Sequence, residues 1–129
     1  MKVLLDTHTF LSWVSDDRHL SSRARRTIGD GSNEVYFSAV SGWEIAMKAR
    51  LGRLSIAGND PEAFVAQQVS ANNLSILPIH LSHALKTYAL PDHHKDPFDR
   101  LLVAQSIIEA LPLLSADRHL AEYRVRVIW

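Results

Sequence analysis

His94-Lys95-Asp96-Pro97-Phe98-Asp99-Arg100-Leu101-Leu102-Val103-Ala104-Gln105, followed shortly by Leu113-Leu114-Ser115-Ala116-Asp117, is the stretch that decides how this chain folds. It reads as a polar loop, a buried helix and a short apolar strand that runs into an acid. Asp96 suits the helix cap and Pro97 the first helical position, where a missing N–H costs nothing. Asp99 falls in the first turn, where a carboxylate beside free backbone N–H groups stabilises a helix by ~0.3–1 kcal/mol. From Phe98 to Leu111 apolar residues lie on nearly every face, so both sides of this helix are expected to touch protein. Capping accounts for Asp96. For Asp99 a helix-terminus role and a functional role stand level until the rest of the chain is read.

Working outward, Lys2-Val3-Leu4-Leu5-Asp6 is another apolar run ending in an acid, the pattern of a buried parallel strand. Thr9 is placed to cap a helix through Phe10, Leu11, Trp13 and Val14, which Asp16-Asp17-Arg18 breaks. Ser21 or Ser22 opens a second helix that Gly29 and Gly31 end. Glu34 to Ser38 is the second strand. Ser41-Gly42-Trp43-Glu44 matches the S-x-x-E capping box and predicts a helix start, with Gly52 as the stop. Asp60-Pro61-Glu62 starts a further helix. Leu74 to Ile79 reads as a third strand, with Pro78 marking an edge or a strand end. Ser82 to Ala89 reads as a short helix, and Val125-Arg126-Val127-Ile128 as the last strand. Strands alternating with helices imply an α/β fold: a mostly parallel sheet covered on both faces, in three layers.

At 129 residues this is expected to be one domain spanning 1–129, with 47% hydrophobic and 22% charged residues, ordinary for a globular protein. No apolar run reaches the roughly 18 residues a membrane helix needs, and the start lacks a signal-peptide pattern. With no cysteine there is neither a disulfide framework nor a thiolate metal site. A cytoplasmic protein without a membrane partner is expected. Lys+Arg and Asp+Glu both number 14, so the chain is not basic on average as nucleic-acid binders usually are. If four of the acids bind cations together, the remainder is basic and compatible with RNA.

In a parallel sheet the loops after successive strands emerge along one edge, and ligands bind there where strand order reverses. Asp6 ends the first strand, Asp117 follows the fourth, and Glu44 opens the helix after the second. Asp99 opens the helix leading into the fourth strand, so its convergence with the others is an inference. Four carboxylates in one cleft repel unless cations lie between them. Hard oxygen ligands select Mg²⁺ or Mn²⁺, ions suited to phosphoryl chemistry through a metal-activated water. Against each acid stands a plainer role as a cap or turn residue, strongest for Glu44.

These segments resemble a known family. Val3-Leu4-Leu5-Asp6-Thr7, Ser41-Gly42-Trp43-Glu44-Ile45, Asp96 to Gln105 and Leu114-Ser115-Ala116-Asp117 are together similar to PIN-domain nucleases, and more narrowly to the small VapC-type toxins of toxin–antitoxin pairs. No single motif is specific; the four together, in order and at compatible spacing, are. The resemblance implies a three-layer α/β/α fold whose acids bind Mg²⁺ or Mn²⁺ and hydrolyse RNA. It carries the family's acids onto Asp6, Glu44, Asp99 and Asp117, with Ser115 as a supporting hydroxyl and Asp96 as an extra acid of second rank. It also implies a homodimer neutralised by a VapB-type antitoxin.

His8, His94, Lys95, Arg100 and Arg118 flank the acids and are candidates for RNA phosphate contacts, with solvated surface as the equal rival. His93-His94 invites a zinc reading, but adjacent histidines rarely face one ion. Trp13, Trp43 and Phe98 could stack on bases, yet their helical spacing favours packing. Two other functions compete: a non-catalytic PIN-like interaction module, and an Asp-phosphoacceptor on a similar sheet. The phosphoacceptor reading lacks its second acid, because His8 stands two residues after Asp6.

Overall fold

Val3, Leu4 and Leu5 are buried on both faces of the strand they form, β1 (Lys2–Leu5). In the computed structural model, which describes residues 1–129, β1 is the middle strand of a five-stranded sheet. β2 (Glu34–Ser38) pairs with it on one side and β3 (Ser75–Leu77) lies outside β2. β4 (Leu113–Leu114) pairs with it on the other side and β5 (Val127–Ile128) lies outside β4. All four pairings are parallel, in the order β3-β2-β1-β4-β5. The chain builds outward from β1 to β3 and then returns to the opposite side, so the order reverses between β1 and β4.

Alternation along β1 divides the interior in two, because successive strand side chains point to opposite faces. Val3 and Leu5 join Phe10, Ala24, Ile28, Phe37 and Ile45 in one core. Leu4 joins Leu101, Leu102, Leu113 and Leu120 in the other. Helices α1 (Thr7–Val14), α2 (Ser22–Gly29) and α4 (Pro61–Ala71) contribute to the first core. The second is covered by α6 (Pro97–Glu109) and the 3₁₀ turns of Arg118–Tyr123. Between α4 and α6 lies the short helix α5 (Leu81–Lys86), which continues into a 3₁₀ turn at Thr87–Ala89. α3 (Ala39–Arg50) sends Val40 to one core and Ile45 to the other, so it bridges the two layers beside the carboxyl ends of the strands. The expected three-layer α/β/α arrangement with a parallel sheet is therefore present.

Several local expectations stand: Ser21 caps α2, Asp60 precedes Pro61 in α4, and Asp96 caps α6 ahead of Pro97. β3 is an edge strand with Pro78 just beyond its end. Three need correction. Thr9 does not cap α1; the Asp6 carboxylate does, accepting from the Thr9 N–H at 2.7 Å. Ser41 does not open α3; the helix begins a turn earlier, where Ser38 Oγ accepts from the Val40 N–H. The S-x-x-E match thus falls inside the helix, and Glu44 is released from capping. Finally, α6 stops at Glu109 rather than running to Leu111, because Ala110 takes a left-handed conformation at φ 54°.

α6 is continuously buried from Leu101 to Ser106, but Pro97 at its start and Ile108 near its end are exposed, so full enclosure holds for the middle of the helix only. Gln105, on its inner face, ties the layers together: Oε1 accepts from Ser38 Oγ at the end of β2, and Nε2 donates to the Pro78 carbonyl at 3.1 Å. No helix is long and apolar enough to cross a membrane.

Ala110 supplies a test of the α6 boundary. An L side chain at positive φ is strained, and glycine is not, so Ala110→Gly should raise the unfolding free energy by about 0.5–1 kcal/mol in urea titration. A loss of stability would mean that the helix continues through this position.

Candidate functional site

β1 delivers Asp6 to the point where strand order reverses, and three bonds fix it there. Oδ1 accepts from the Thr9 N–H at 2.7 Å, Oδ2 accepts from Ser115 Oγ, and the Asp6 N–H donates to the Leu114 carbonyl at 3.2 Å. Thr9 Oγ1 also donates to the Leu114 carbonyl, at 2.9 Å. One buried carboxylate thus joins β1, α1 and the end of β4. Ser115, fully buried, accepts in turn from the Asp117 N–H at 3.0 Å, which sets the turn that carries Asp117.

Glu44 arrives from α3, one turn past the helix start, and is buried. Its Oε1 accepts from Thr7 Oγ1 at 2.7 Å, so the residue after Asp6 orients the next acid. Its Oε2 forms an ion pair with Lys48, one turn along the same helix. Lys48 was not among the residues singled out from sequence. Its (i, i+4) spacing from Glu44 was the available signal.

Asp99 sits in the first turn of α6 and Asp117 beyond β4, and one imidazole lies between them. His94 Nε2 is 3.3 Å from Asp99 Oδ2 and 3.3 Å from Asp117 Oδ2. The ligand atoms of these three residues lie within 4.8 Å of one another. Asp96 uses Oδ1 to accept from the Phe98 and Asp99 N–H groups at 2.8 and 3.1 Å, which is the cap foreseen for it.

The flanking basic residues divide. His8, Lys95 and Arg118 are exposed. Arg100 is not available to a phosphate, and that expectation is corrected. Its side chain is 17% exposed, and its guanidinium donates to the carbonyls of Thr87, Leu90 and Pro91 at 2.9, 3.2 and 2.8 Å. It fastens the loop before α6. His93 and His94 face different ways: His93 packs edge-on against Tyr123 and lies 3.4 Å from Glu122, which leaves no two-histidine zinc site. Phe98 is core, with Trp43 edge-on over it at 4.7 Å and half exposed. Trp13 Nε1 donates to Asn72 at 2.9 Å. Beside the acids, Thr7, His8, Glu44, Lys48 and Arg53 line a cavity of ≈ 310 Å³ with a basic rim.

The family model described as PIN domain matches residues 3–125. No curated protein matches the chain in sequence. Solved structures similar in fold include two crystal structures. VapBC2 from Rickettsia felis, bound to a DNA fragment from its promoter, superposes with a TM-score of 0.73 at 12% identity, over 99% of this chain and 98% of that one. FitAcB from Neisseria gonorrhoeae gives 0.63 at 17% identity, over 100% of this chain and 97% of that one.

The electrostatics of the cleft suit a cation. The Asp99 carboxyl is pushed up to about 6, first by burial and then by the charge of Asp96, with Asp6 and Glu44 adding to the rise and His94 opposing it. Acids from the end of β1, from α3 and from the start of α6 therefore share one field, and the donor set is oxygen-rich and without thiolate, which fits Mg²⁺ or Mn²⁺. The raised value means that between pH 4 and 6 folded Asp99 keeps a proton that the unfolded chain releases. Burial of the ionised carboxylate, together with repulsion from Asp96, therefore costs the metal-free protein stability above pH 6, and the cost fades as pH falls toward 4. Asp99→Asn should stabilise the metal-free protein by about 2 kcal/mol at pH 8, after discounting for partial exposure, and by nearly nothing at pH 4. Thermal melts in chelator across that range test this; a less stable variant at pH 8 would show that Asp99 serves the helix end alone.

Proposed function

The chain belongs to the PIN domain family, and from that membership and its acidic cleft we propose that it is a Mg²⁺- or Mn²⁺-dependent endoribonuclease, the VapC-type toxin of a toxin–antitoxin pair. The observation that carries the reading is the electrostatic convergence of Asp6, Glu44 and Asp99, from a strand end and two helices, with Asp117 joined to Asp6 through Ser115 and to Asp99 through His94. Metal-binding acids at a topological switch point are suited to phosphodiester hydrolysis.

In this reading Asp6, Glu44, Asp99 and Asp117 would hold the ion, with Asp96 behind them as cap and added negative charge. A bound divalent ion supplies Lewis acidity, polarising a phosphate oxygen and lowering the pKa of water. The protein's share is orientation. Ser115 and the Thr9 N–H each occupy one lone pair of Asp6 and leave others free. Thr7 does the same for Glu44. His8, Lys95, Arg118 and the basic rim of the neighbouring cavity draw in the RNA backbone. His94 is the histidine held against the acids, while His8 beside them is exposed, so a route using a positioned histidine acid–base pair and a 2′-hydroxyl nucleophile lacks its actors. Water attacks phosphorus instead, the P–O3′ bond breaks, and the products carry a 5′ phosphate and a 3′ hydroxyl. An Asp6 phosphoacceptor is disfavoured because His8, not a second acid, stands two residues after it.

The same reading gives the protein a VapB-type antitoxin, a cytoplasmic setting and a second copy of itself as partner. Leu81, Leu85 and Tyr88 leave a strongly exposed apolar surface on α5 and the turn after it, of the kind an association covers.

Single-stranded RNA with labelled ends tests the chemistry. Cleavage should stop in EDTA, return with Mn²⁺ or Mg²⁺, fail with Ca²⁺, and fall by about 10³-fold or more in Asp99→Asn. Asp6→Ala should lose as much, but it also removes the α1 cap. Products with 2′,3′-cyclic phosphate ends, or full cleavage in chelator, would overturn the mechanism.

A further inference from the structure

His94, Asp99 and Asp117 meet closely enough to look like three ligands of one ion. The hydrogen bonds around the imidazole argue otherwise. Nδ1 lies 3.1 Å from the Asp96 backbone nitrogen, which can only donate, so Nδ1 is an acceptor. The proton that a neutral imidazole must carry is therefore on Nε2, the atom facing the two carboxylates. For Nε2 to offer a lone pair to an ion, the proton would have to move to Nδ1. There it would confront the Asp96 N–H, donor against donor. Hard divalent ions also favour oxygen over imidazole.

Nε2 stands at the same distance from both acids, 3.3 Å, longer than a good hydrogen bond to either. A single N–H shared between two carboxylates is a weak donor to either, yet its polar hydrogen faces both of them. The backbone around it is firmly held. The His94 N–H donates to Tyr123 Oη at 2.7 Å, and Arg100 fastens the loop at Thr87, Leu90 and Pro91. The imidazole itself is partly exposed, so the side chain has solvent to turn into.

We propose that His94 is not a metal ligand but the built-in stand-in for the metal: its Nε2–H bridges Asp99 and Asp117 in the metal-free protein and must leave them for a divalent ion to bind. This rests on the metal-dependent reading above. His94 is thus a positioning residue that keeps two like charges together and sets a threshold for metal loading. Lys48 does the corresponding work at Glu44, but as an ion pair within one helix and outside the shared bridge.

The proposal and its rival predict opposite signs for one measurement. Mn²⁺ affinity is measured by calorimetry on the full chain, wild type beside His94→Ala, with the Mn²⁺-induced rise in melting temperature as a second readout. Removing a competitor should tighten Mn²⁺ binding about three- to tenfold and enlarge the thermal shift, while the chelated variant melts lower than chelated wild type. Removing a ligand would weaken binding about tenfold or more and shrink the shift. His94→Asn, short enough to keep the Asp96 N–H partnered but not to reach the acids, should behave as His94→Ala and serves if the alanine variant fails to fold. Equal or weaker Mn²⁺ binding by the variant that folds overturns the stand-in role alone. A wild-type protein that binds no Mn²⁺ overturns this proposal together with the metal-dependent function.

Discussion

The Asp6 carboxylate is the joint on which the rest of this molecule depends. One oxygen accepts from the first turn of α1 and the other from Ser115 beyond β4, while the residue's own N–H pairs with Leu114. The strand that starts the sheet, the helix that leaves it and the strand across the order reversal are thereby registered by a single buried side chain. Thr7, the next residue, extends the same control to Glu44 on α3. The cleft is not an ornament on a finished fold. Its first acid is part of how the layers find one another.

Such a site carries an internal conflict. Buried carboxylates favour their neutral form, and each neighbour of the same sign makes ionisation harder. The protein answers locally, with a hydroxyl for Asp6, a hydroxyl and an ammonium for Glu44, and an imidazole between Asp99 and Asp117. The conflict is least resolved at Asp99, where burial and Asp96 together outweigh the help of His94. Function and folding therefore pull hardest against each other in the first turn of α6, the helix whose apolar body otherwise packs one of the two cores.

Much of this was legible in the residues, for physical reasons that can be named. The unbroken apolar run Val3-Leu4-Leu5 suits a strand covered on both faces, and alternating elements then allow few arrangements beyond a parallel sheet. Asp96-Pro97 announced its helix because proline suits only the first turn. The misreadings came where two polar residues competed for one cap. Thr9 lost to Asp6, whose carboxylate is the stronger acceptor, and Ser41 lost to Ser38, because β2 ends directly in α3 without an intervening loop. Of the site, Asp6 and Asp117 were visible as acids following strands, and Glu44 and Asp99 as acids near helix starts. Their polar partners were not, because the meeting of His94 with Asp117 depends on how a loop before α6 folds against a turn after β4. Arg100 misled for a related reason: an arginine beside acids looks like surface until the carbonyls of a neighbouring loop converge on it.

The double duty of Asp6 also shapes how a lineage carrying this gene can lose the activity. A codon change at Asp6 takes away a helix cap and the link to Ser115 together with the acid, so its product is prone to misfold and be degraded. A change at Asp99 removes a charge that the fold has to tolerate, and leaves a well-folded protein with an altered cleft. When selection on the activity relaxes, silenced copies should therefore accumulate lesions in the first turn of α6 while keeping the aspartate at the end of β1. Those copies would persist as intact proteins, still able to occupy whatever partners the active form binds.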